Sequence, residues 1–325
     1  MSTAIAGAGS SAAIEARGLV RRFGDVEAVS GVDLRVEAGE IYGFLGPNGA
    51  GKSTTVRMLC TLLKPSAGTA IVAGYNVADQ AGEVRLRIGV ALQEAALDPK
   101  QTGRELLDLS CRLFGLDRAT RLRRVNDLIG LVDIGDAIDR RVKTYSGGMA
   151  RRLDLACALV HQPLVLFLDE PTTGLDPMSR TSVWEEVRRL NQEQGTTIFL
   201  TTQYLEEADQ LAHRVGIISH GTVAVEGTPD ELKRSIGTDT VEVTLCRAGD
   251  NPTEMLSALS AVRSVRQNGL HVSVDVEDGA VALSPIAVAL ATAGVEVNSL
   301  TVHRPTLDDV FLSVTGETFE LKEQT

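Results

Sequence analysis

The sequence predicts an α/β fold built on a parallel sheet that carries a phosphate-binding loop. A helical insert and, further along the chain, a small α+β domain complete the expectation. Three observations carry it. Residues Gly46-Pro-Asn-Gly-Ala-Gly-Lys-Ser53 fit the pattern G-x-x-x-x-G-K-[ST]. Apolar strand-like runs alternate with helical patterns from residue 164 to residue 212. After about residue 238 the texture changes to short alternating strands separated by two helical stretches.

The loop implies an electrostatic device. Gly46, Gly49 and Gly51, with Pro47, Asn48 and Ala50 between them, let successive backbone N–H groups turn inward around a chain of phosphates. Lys52 can reach the β- and γ-phosphates, and the Ser53 hydroxyl can ligate Mg²⁺. Residues 40–45 read as a buried strand leading in, and 54–63, beginning with Thr54, as a helix leading out. That order puts the phosphates at a helix N-terminus, where the dipole favours negative charge. Taken alone, the loop fits a transporter ATPase, a kinase, a GTPase or a repair enzyme equally well.

Two further motifs narrow the choice. Residues 164–168 form an apolar run, as in a central parallel strand, and end in Asp169-Glu170 at the carboxyl edge of the sheet. One carboxylate can hold Mg²⁺ through water, and the other can polarise an attacking water. Upstream, Tyr145-Ser-Gly-Gly-Met149 precedes a helical stretch from 150 to 160. A Ser-Gly-Gly turn at a helix start is a second anion site, made of backbone amides and one hydroxyl. Two phosphate devices on one chain make sense when they serve two nucleotides jointly.

Phosphate loop, Ser-Gly-Gly signature, Asp-Glu strand end and Gly174-Leu-Asp176, in that order, resemble an ATP-binding cassette (ABC) ATPase over residues 14–235. The resemblance implies ATP and Mg²⁺ as ligands and a head-to-tail homodimer. In such a dimer Tyr145, Ser146, Gly147, Gly148 and Met149 of one copy close over ATP held by the other. It implies that Phe23 stacks on adenine, that Gln93 senses Mg²⁺ and γ-phosphate, and that Asp176 lies in the dimer loop. Glu170 is then the catalytic carboxylate, and Ser53, Gln93 and Asp169 surround the metal. Two positions depart from the common family pattern. Tyr145 and Met149 flank the signature where Leu and Gln are usual, and Gln203 stands where most members have a γ-phosphate-contacting histidine.

Both departures, with Thr201-Thr-Gln-Tyr-Leu-Glu-Glu-Ala208 and the tail Arg304-Pro-Thr-Leu-Asp-Asp-Val-Phe-Leu312, resemble the daunorubicin-resistance ATP-binding proteins. This closer likeness spans nearly the whole chain. It implies an export motor that energises a separate membrane permease for an anthracycline-like drug or a complex lipid. The chain would then sit peripherally on the cytoplasmic face of the membrane. The second class left open is a soluble ABC-type regulator in translation or repair. One cassette, with neither heptad runs nor cysteine clusters, argues for transport. The cargo is not written in these residues.

Composition agrees. A net charge of −11 over 325 residues argues against a nucleic-acid partner. Cys60, Cys111, Cys157 and Cys246 form no Cys-x-x-Cys pair and fit a reducing compartment, most as buried small apolar residues. No run reaches the ~18–20 apolar residues of a membrane span. The expected layout is a flexible tail over 1–13, lacking the features of a signal peptide, and an ATPase domain over 14–237. Its helical subdomain covers about 94–160, and helices are expected over 103–114, 119–131, 179–193 and 205–212. A ferredoxin-like domain over 238–316, with helices over 253–260 and 285–293, and a tail over 317–325 complete it.

Gln203 gives the first prediction. An amide donates a hydrogen bond but cannot titrate, so ATPase activity should show no dependence on a group at this position titrating near about pH 6.5. Gln203→His should tolerate ATP binding and raise turnover. Activity indifferent to Gln203→Ala would exclude the residue from the site.

Overall fold

The computed structural model describes residues 12–93, 97–247 and 251–316, and the chain divides into two compact units at Pro229/Asp230. Residues 1–11 and 317–325 of the expected tails, and 94–96 at the start of the expected insert, lie outside the described residues. Ala12 and Ala13 already belong to the first strand.

The first unit opens with β1 (Ala12–Phe23), β2 (Val26–Glu37), β3 (Ile41–Leu45) and α1 (Lys52–Leu59). It continues through β4 (Ala67–Val72), β5 (Tyr75–Asn76), α2 (Ala81–Arg85) and β6 (Ile88–Ala91). A helical layer follows, α3 (Gly103–Leu113), α4 (Arg118–Val132) and α5 (Gly147–Ala158). Then come β7 (Val165–Asp169), α6 (Pro177–Gln194), β8 (Thr197–Thr202), α7 (Leu205–Leu211), β9 (Arg214–Ser219) and β10 (Thr222–Gly227).

The central sheet has the order β10-β9-β3-β8-β7-β6 and is parallel except for the β9–β10 hairpin. Its middle strands β3, β7 and β8 are buried at every position, so their centres are apolar and their polar residues, Thr197, Thr201, Thr202 and Asp169, stand at the strand ends. Side chains alternate between two cores. Tyr42, Phe44, Phe167 and Phe199 pack on one face against α1 and the antiparallel sheet β2-β1-β4-β5. Ile41, Leu166, Leu168, Ile198 and Leu200 face the helical layer and α6. Each such burial contributes about 1.5–3 kcal/mol of transfer free energy.

Capping residues explain where the helices begin. Thr102 and Glu105 form a capping box on α3, Asp117 caps α4, and Asp176 caps α6 with Pro177 at its first position. Helix α6 therefore starts before residue 179. Helix α1 stops at Leu59, short of residue 63, because the chain turns through Thr61 at φ +63°.

The second unit contains α8 (Pro229–Ile236), β11 (Asp239–Leu245), α9 (Thr253–Ser257), β12 (Val262–Asn268), β13 (His271–Val276), α10 (Gly279–Thr292), β14 (Val297–His303) and α11 (Leu307–Thr315). Its antiparallel sheet has the order β12-β13-β11-β14, with Val241, Val243, Val272, Val274 and Val276 in the core beneath Leu256, Ile286 and Leu290. This is the strand–helix–strand–strand–helix–strand sandwich expected from the pattern, with α8 added before it. Helix α10 begins six residues ahead of Pro285. Asp278 accepts from the Ala280 and Val281 amides and starts the helix there. Pro285 has no N–H for the Val281 carbonyl, and both residues are exposed.

One buried acid ties the layers of the first unit together. Glu207 on α7 is 0% exposed, and its Oε1 accepts from Trp184 Nε1 on α6 at 2.9 Å and from Thr172 Oγ1 at 3.1 Å. Its Oε2 has no partner among the described residues. Burial pushes this carboxyl above its ordinary value near 4.5, opposed by the side chains of Thr202, Trp184 and Thr172 and by the Arg180 charge. A raised folded value favours folding most below the unfolded value and loses that contribution as pH rises through the folded one. Glu207→Gln, which keeps the acceptor and cannot ionise, should therefore gain stability relative to the natural chain as pH rises from 5 to 8. Glu207→Ala strands two buried donors and should lose about 1–3 kcal/mol for each. Urea denaturation at the two pH values checks both; an equal gap between the Gln variant and the natural chain at both would contradict the ionisation argument.

Candidate functional site

Parallel pairing brings four strand ends to one edge. The register pairs Asp169 with Thr201, Leu45 with Thr202, and Ala91 with Leu168. The phosphate loop after β3, Gln93 after β6, Glu170 after β7 and Gln203 after β8 therefore emerge together.

The loop closes over Lys52, which is 5% exposed. Its ammonium donates to Gly46 O at 2.7 Å and Pro47 O at 3.2 Å, and lies 3.9 Å from Glu170 Oε1. Burial lowers the Lys52 pKa, and the charges of Glu170 and Asp169 oppose the change. Gly51 caps α1 at φ +110°, where a Cβ would stand 2.6 Å from Ala28 O of β2. Only glycine lets the loop sit this close to the antiparallel sheet. Asn48 and Gly49 remain exposed at the loop tip.

Two carboxylates face the loop. Asp169, buried, accepts from Ser53 Oγ at 3.2 Å and from Thr201 Oγ1 through the same Oδ1. Glu170 holds a left-handed backbone at φ +50° although Pro171 follows it, a placement that costs roughly 1–3 kcal/mol. Its amide is held by Thr201 O at 3.0 Å and Thr201 Oγ1 at 3.1 Å. Its Oε2 accepts from Gln93 Nε2 at 3.2 Å and Thr173 Oγ1 at 3.3 Å. Strain of this kind persists where the surroundings fix it, and here it aims a carboxylate at the loop.

The residues fit a nucleoside triphosphate with Mg²⁺. A buried ammonium with only carbonyls as close partners sits at the amide-rich mouth of a helix, and Ser53 with Asp169 offers hard oxygen donors. Phe23 lies at the end of β1, 48% exposed, with the Arg21 guanidinium 4.6 Å from its ring centroid. An aromatic left that open is suited to stacking rather than to the core.

The signature lies elsewhere on the unit. Ser146 caps α5, its Oγ accepting from the Met149 amide at 3.3 Å, and Ser146 and Gly147 are exposed. A Cβ on Gly148 would lie 2.6 Å from Ser179 Oγ, and Ser179 in turn donates to Asp176 at 2.6 Å. The signature and the Asp176 loop thus form one packed surface. Tyr145 does not share it. Its hydroxyl donates to Ala137 O at 2.8 Å and its ring packs into the helical-layer core, so the side chain anchors the signature from behind. Among the described residues no hydrogen bond joins Ser146 to Lys52, Asp169 or Glu170 of the same chain. Gln203 is half-buried at the end of β8, and Glu170 takes its hydrogen bonds from Gln93 and Thr173 instead.

Sequence reasoning missed Thr201, Thr173 and Arg151. The signal for Thr201 was its position at the end of a strand; only the β7–β8 register shows that it faces Asp169. Arg151 lies in the helical stretch that follows the signature, and nothing in its local pattern shows that it is 8% exposed.

Comparison with known proteins agrees with this geometry. The ABC transporter family model matches residues 29–173, and the model for the C-terminal domain of DrrA1-3-like ATP-binding proteins matches 227–315. The daunorubicin resistance ATP-binding protein DrrA3 of Streptomyces coeruleorubidus is 48% identical, covering 96% of this chain and 98% of its own. The daunorubicin/doxorubicin resistance ATP-binding protein DrrA of Streptomyces peucetius is 47% identical over 94% of this chain and 92% of its own. The Nod factor export ATP-binding protein I of Burkholderia lata is 40% identical over 94% and 97%. Among solved structures, an ATP-binding subunit of an ABC transporter matches with a TM-score of 0.63 and 27% identity, covering 69% of this chain and 92% of its own. A dimeric ATP-binding cassette bound to ADP and Pi shares the fold at a TM-score of 0.61 and 23% identity, covering 66% and 98%. Fold, site and near-full-length likeness converge: this chain belongs to the daunorubicin-resistance ATP-binding proteins, ABC-type ATPases that bind ATP with Mg²⁺ and hydrolyse it.

Proposed function

We propose that this chain is the motor of a two-component exporter, driving an anthracycline-like amphiphile or a complex lipid through a separate membrane permease. The observation that carries this reading is the likeness to drug-resistance ATP-binding proteins through both units, the C-terminal one included. No helix among the described residues is long and apolar enough to cross a membrane. In this reading the permease is a second chain, which holds the motor peripherally on the cytoplasmic face.

In this reading Phe23 stacks on the adenine, and the amides of residues 46–54 cradle the phosphates. Lys52 exchanges its carbonyl partners for phosphate oxygens. Ser53, Asp169 and Gln93 would hold Mg²⁺, which would neutralise charge on the phosphate oxygens. Glu170 orients a water for attack and takes up its proton, with Gln93 and Thr173 fixing the carboxylate. Gln203 donates a neutral hydrogen bond toward the γ-phosphate. The Ser146-Gly147-Gly148 turn, exposed at Ser146 and Gly147, serves the other copy of a head-to-tail homodimer, and Asp176 supports it through Ser179. What favours action in trans is that each chain presents its signature on a surface with no hydrogen bond to its own loop or carboxylates among the described residues.

Two substitutions separate chemistry from closure. Glu170→Gln should keep nucleotide binding, lose about 10²–10⁴-fold in turnover, and accumulate an ATP-bound dimer. Ser146→Arg should bind ATP as a monomer and form no such dimer. Sedimentation with ATP and Mg²⁺ reads both; a Ser146→Arg dimer, or near-normal turnover of Glu170→Gln, would remove the respective role.

Transport is tested by co-expression with the permease. The pair should lower cellular accumulation of an anthracycline, the chain alone should not, and Lys52→Ala in the pair should abolish the effect. Equal binding of the isolated chain to protein-free vesicles and to permease-containing membranes would contradict a partner-held location.

A further inference from the structure

Arg151 lies on α5, whose first turn is capped by Ser146, and its side chain runs inward to 8% exposure. Buried cations are normally matched by carboxylates. Arg151 has one, Asp154 Oδ2, at 3.3 Å. Its remaining bonds go to backbone carbonyls. Nε donates to Pro171 O at 3.0 Å, Nη2 to Asp169 O at 3.2 Å, and Nη1 to Leu92 O.

Those three carbonyls are not scattered. Asp169 and Pro171 flank Glu170, the residue held in the left-handed region, and Leu92 directly precedes Gln93, which donates to Glu170 Oε2 at 3.2 Å. One planar guanidinium therefore fixes the peptide entering Glu170, the peptide leaving Pro171 and the peptide entering Gln93. The fork geometry suits this task, because its donors lie in one plane at fixed angles and an ammonium cannot reproduce them. The same side chain belongs to the helix that begins with the signature serine. A displacement of α5 acts on the Glu170 peptide through hydrogen bonds that connect them directly.

We propose that Arg151 is a positioning residue for ATP hydrolysis, clamping the backbone around Glu170 and before Gln93 so that the signature helix sets the aim of the catalytic carboxylate. The proposal rests on the reading of Glu170 as the carboxylate that orients water. It gives α5 a second function besides presenting the signature: engagement at its N-terminus is transmitted to the carboxylate of its own chain.

The test compares Arg151→Lys, which keeps charge and loses the fork, with Arg151→Met, using the purified full chain and Glu170→Gln as a parallel control. Nucleotide affinity, measured with a fluorescent ATP analogue, and KM for MgATP should stay within about threefold. The value of kcat should fall by about 10–100-fold in both variants, the scale of a small misplacement of a reacting group. In the Glu170→Gln background, adding Arg151→Lys should leave the ATP-dependent dimer in place, because closure needs the signature and not the aim of residue 170. If Arg151→Met fails to fold, Arg151→Met with Asp154→Leu removes both buried charges together and supplies the same kinetic comparison. Unchanged kcat in a folded Arg151 variant would overturn the proposal, as would a loss of affinity equal to the loss of kcat. Near-normal turnover of Glu170→Gln would instead overturn the reading on which it rests.

Discussion

Lys52 sets the central constraint. An ammonium held at 5% exposure among loop carbonyls, with Glu170 at 3.9 Å, is costly to bury unless negative charge is close by. The surrounding structure supplies that charge at fixed places. The parallel register delivers Asp169 and Glu170 beside the loop, Thr201 holds both residues through its hydroxyl, and Gly51 lets β2 close against the loop from the other side. The site is thus an arrangement of opposed charges on rigid strand ends, prepared for an anion with a divalent cation.

The backbone of Glu170 shows how that preparation is maintained. A left-handed, pre-proline residue is held by hydrogen bonds from two directions: Thr201 receives its amide, and Arg151 grips the carbonyls of the residues before and after it. The strain is local, and the neighbouring elements that oppose it are the sheet and the signature helix. On the role proposed for Arg151, communication between the signature helix and Glu170 needs no long pathway, since a single side chain spans the distance.

Local chemistry made much of this legible in the sequence. The phosphate loop, the Asp-Glu strand end and the serine cap of α5 are each encoded by a few adjacent residues, and the structure places them on the elements expected. The βαββαβ order of the second unit was legible for the same reason, through period-two alternation in β11 and β13. Residues whose role depends on register across more than a few positions were not. Thr201 matters because it pairs with Asp169, Arg151 because α5 lies over the ends of β6 and β7, and Glu207 because α6 and α7 meet. The family resemblance places Tyr145 at the start of the signature, and its hydroxyl bond to Ala137 turns its side chain into the helical layer. Helix α10 was started late because Pro285 was read as a beginning, while Asp278 provides the cap that the chain uses.

The account's central claim is that each catalytic site is completed by the signature of a second copy. Mixing two inactive forms of the full chain, Lys52→Ala and Ser146→Arg, tests it most directly. In a mixed dimer one composite site unites the intact loop of the Ser146→Arg chain with the intact signature of the Lys52→Ala chain. ATPase activity should therefore appear in the mixture although each form alone is inactive. A mixture as inactive as its components, under conditions where the two forms are shown to associate, would contradict the account.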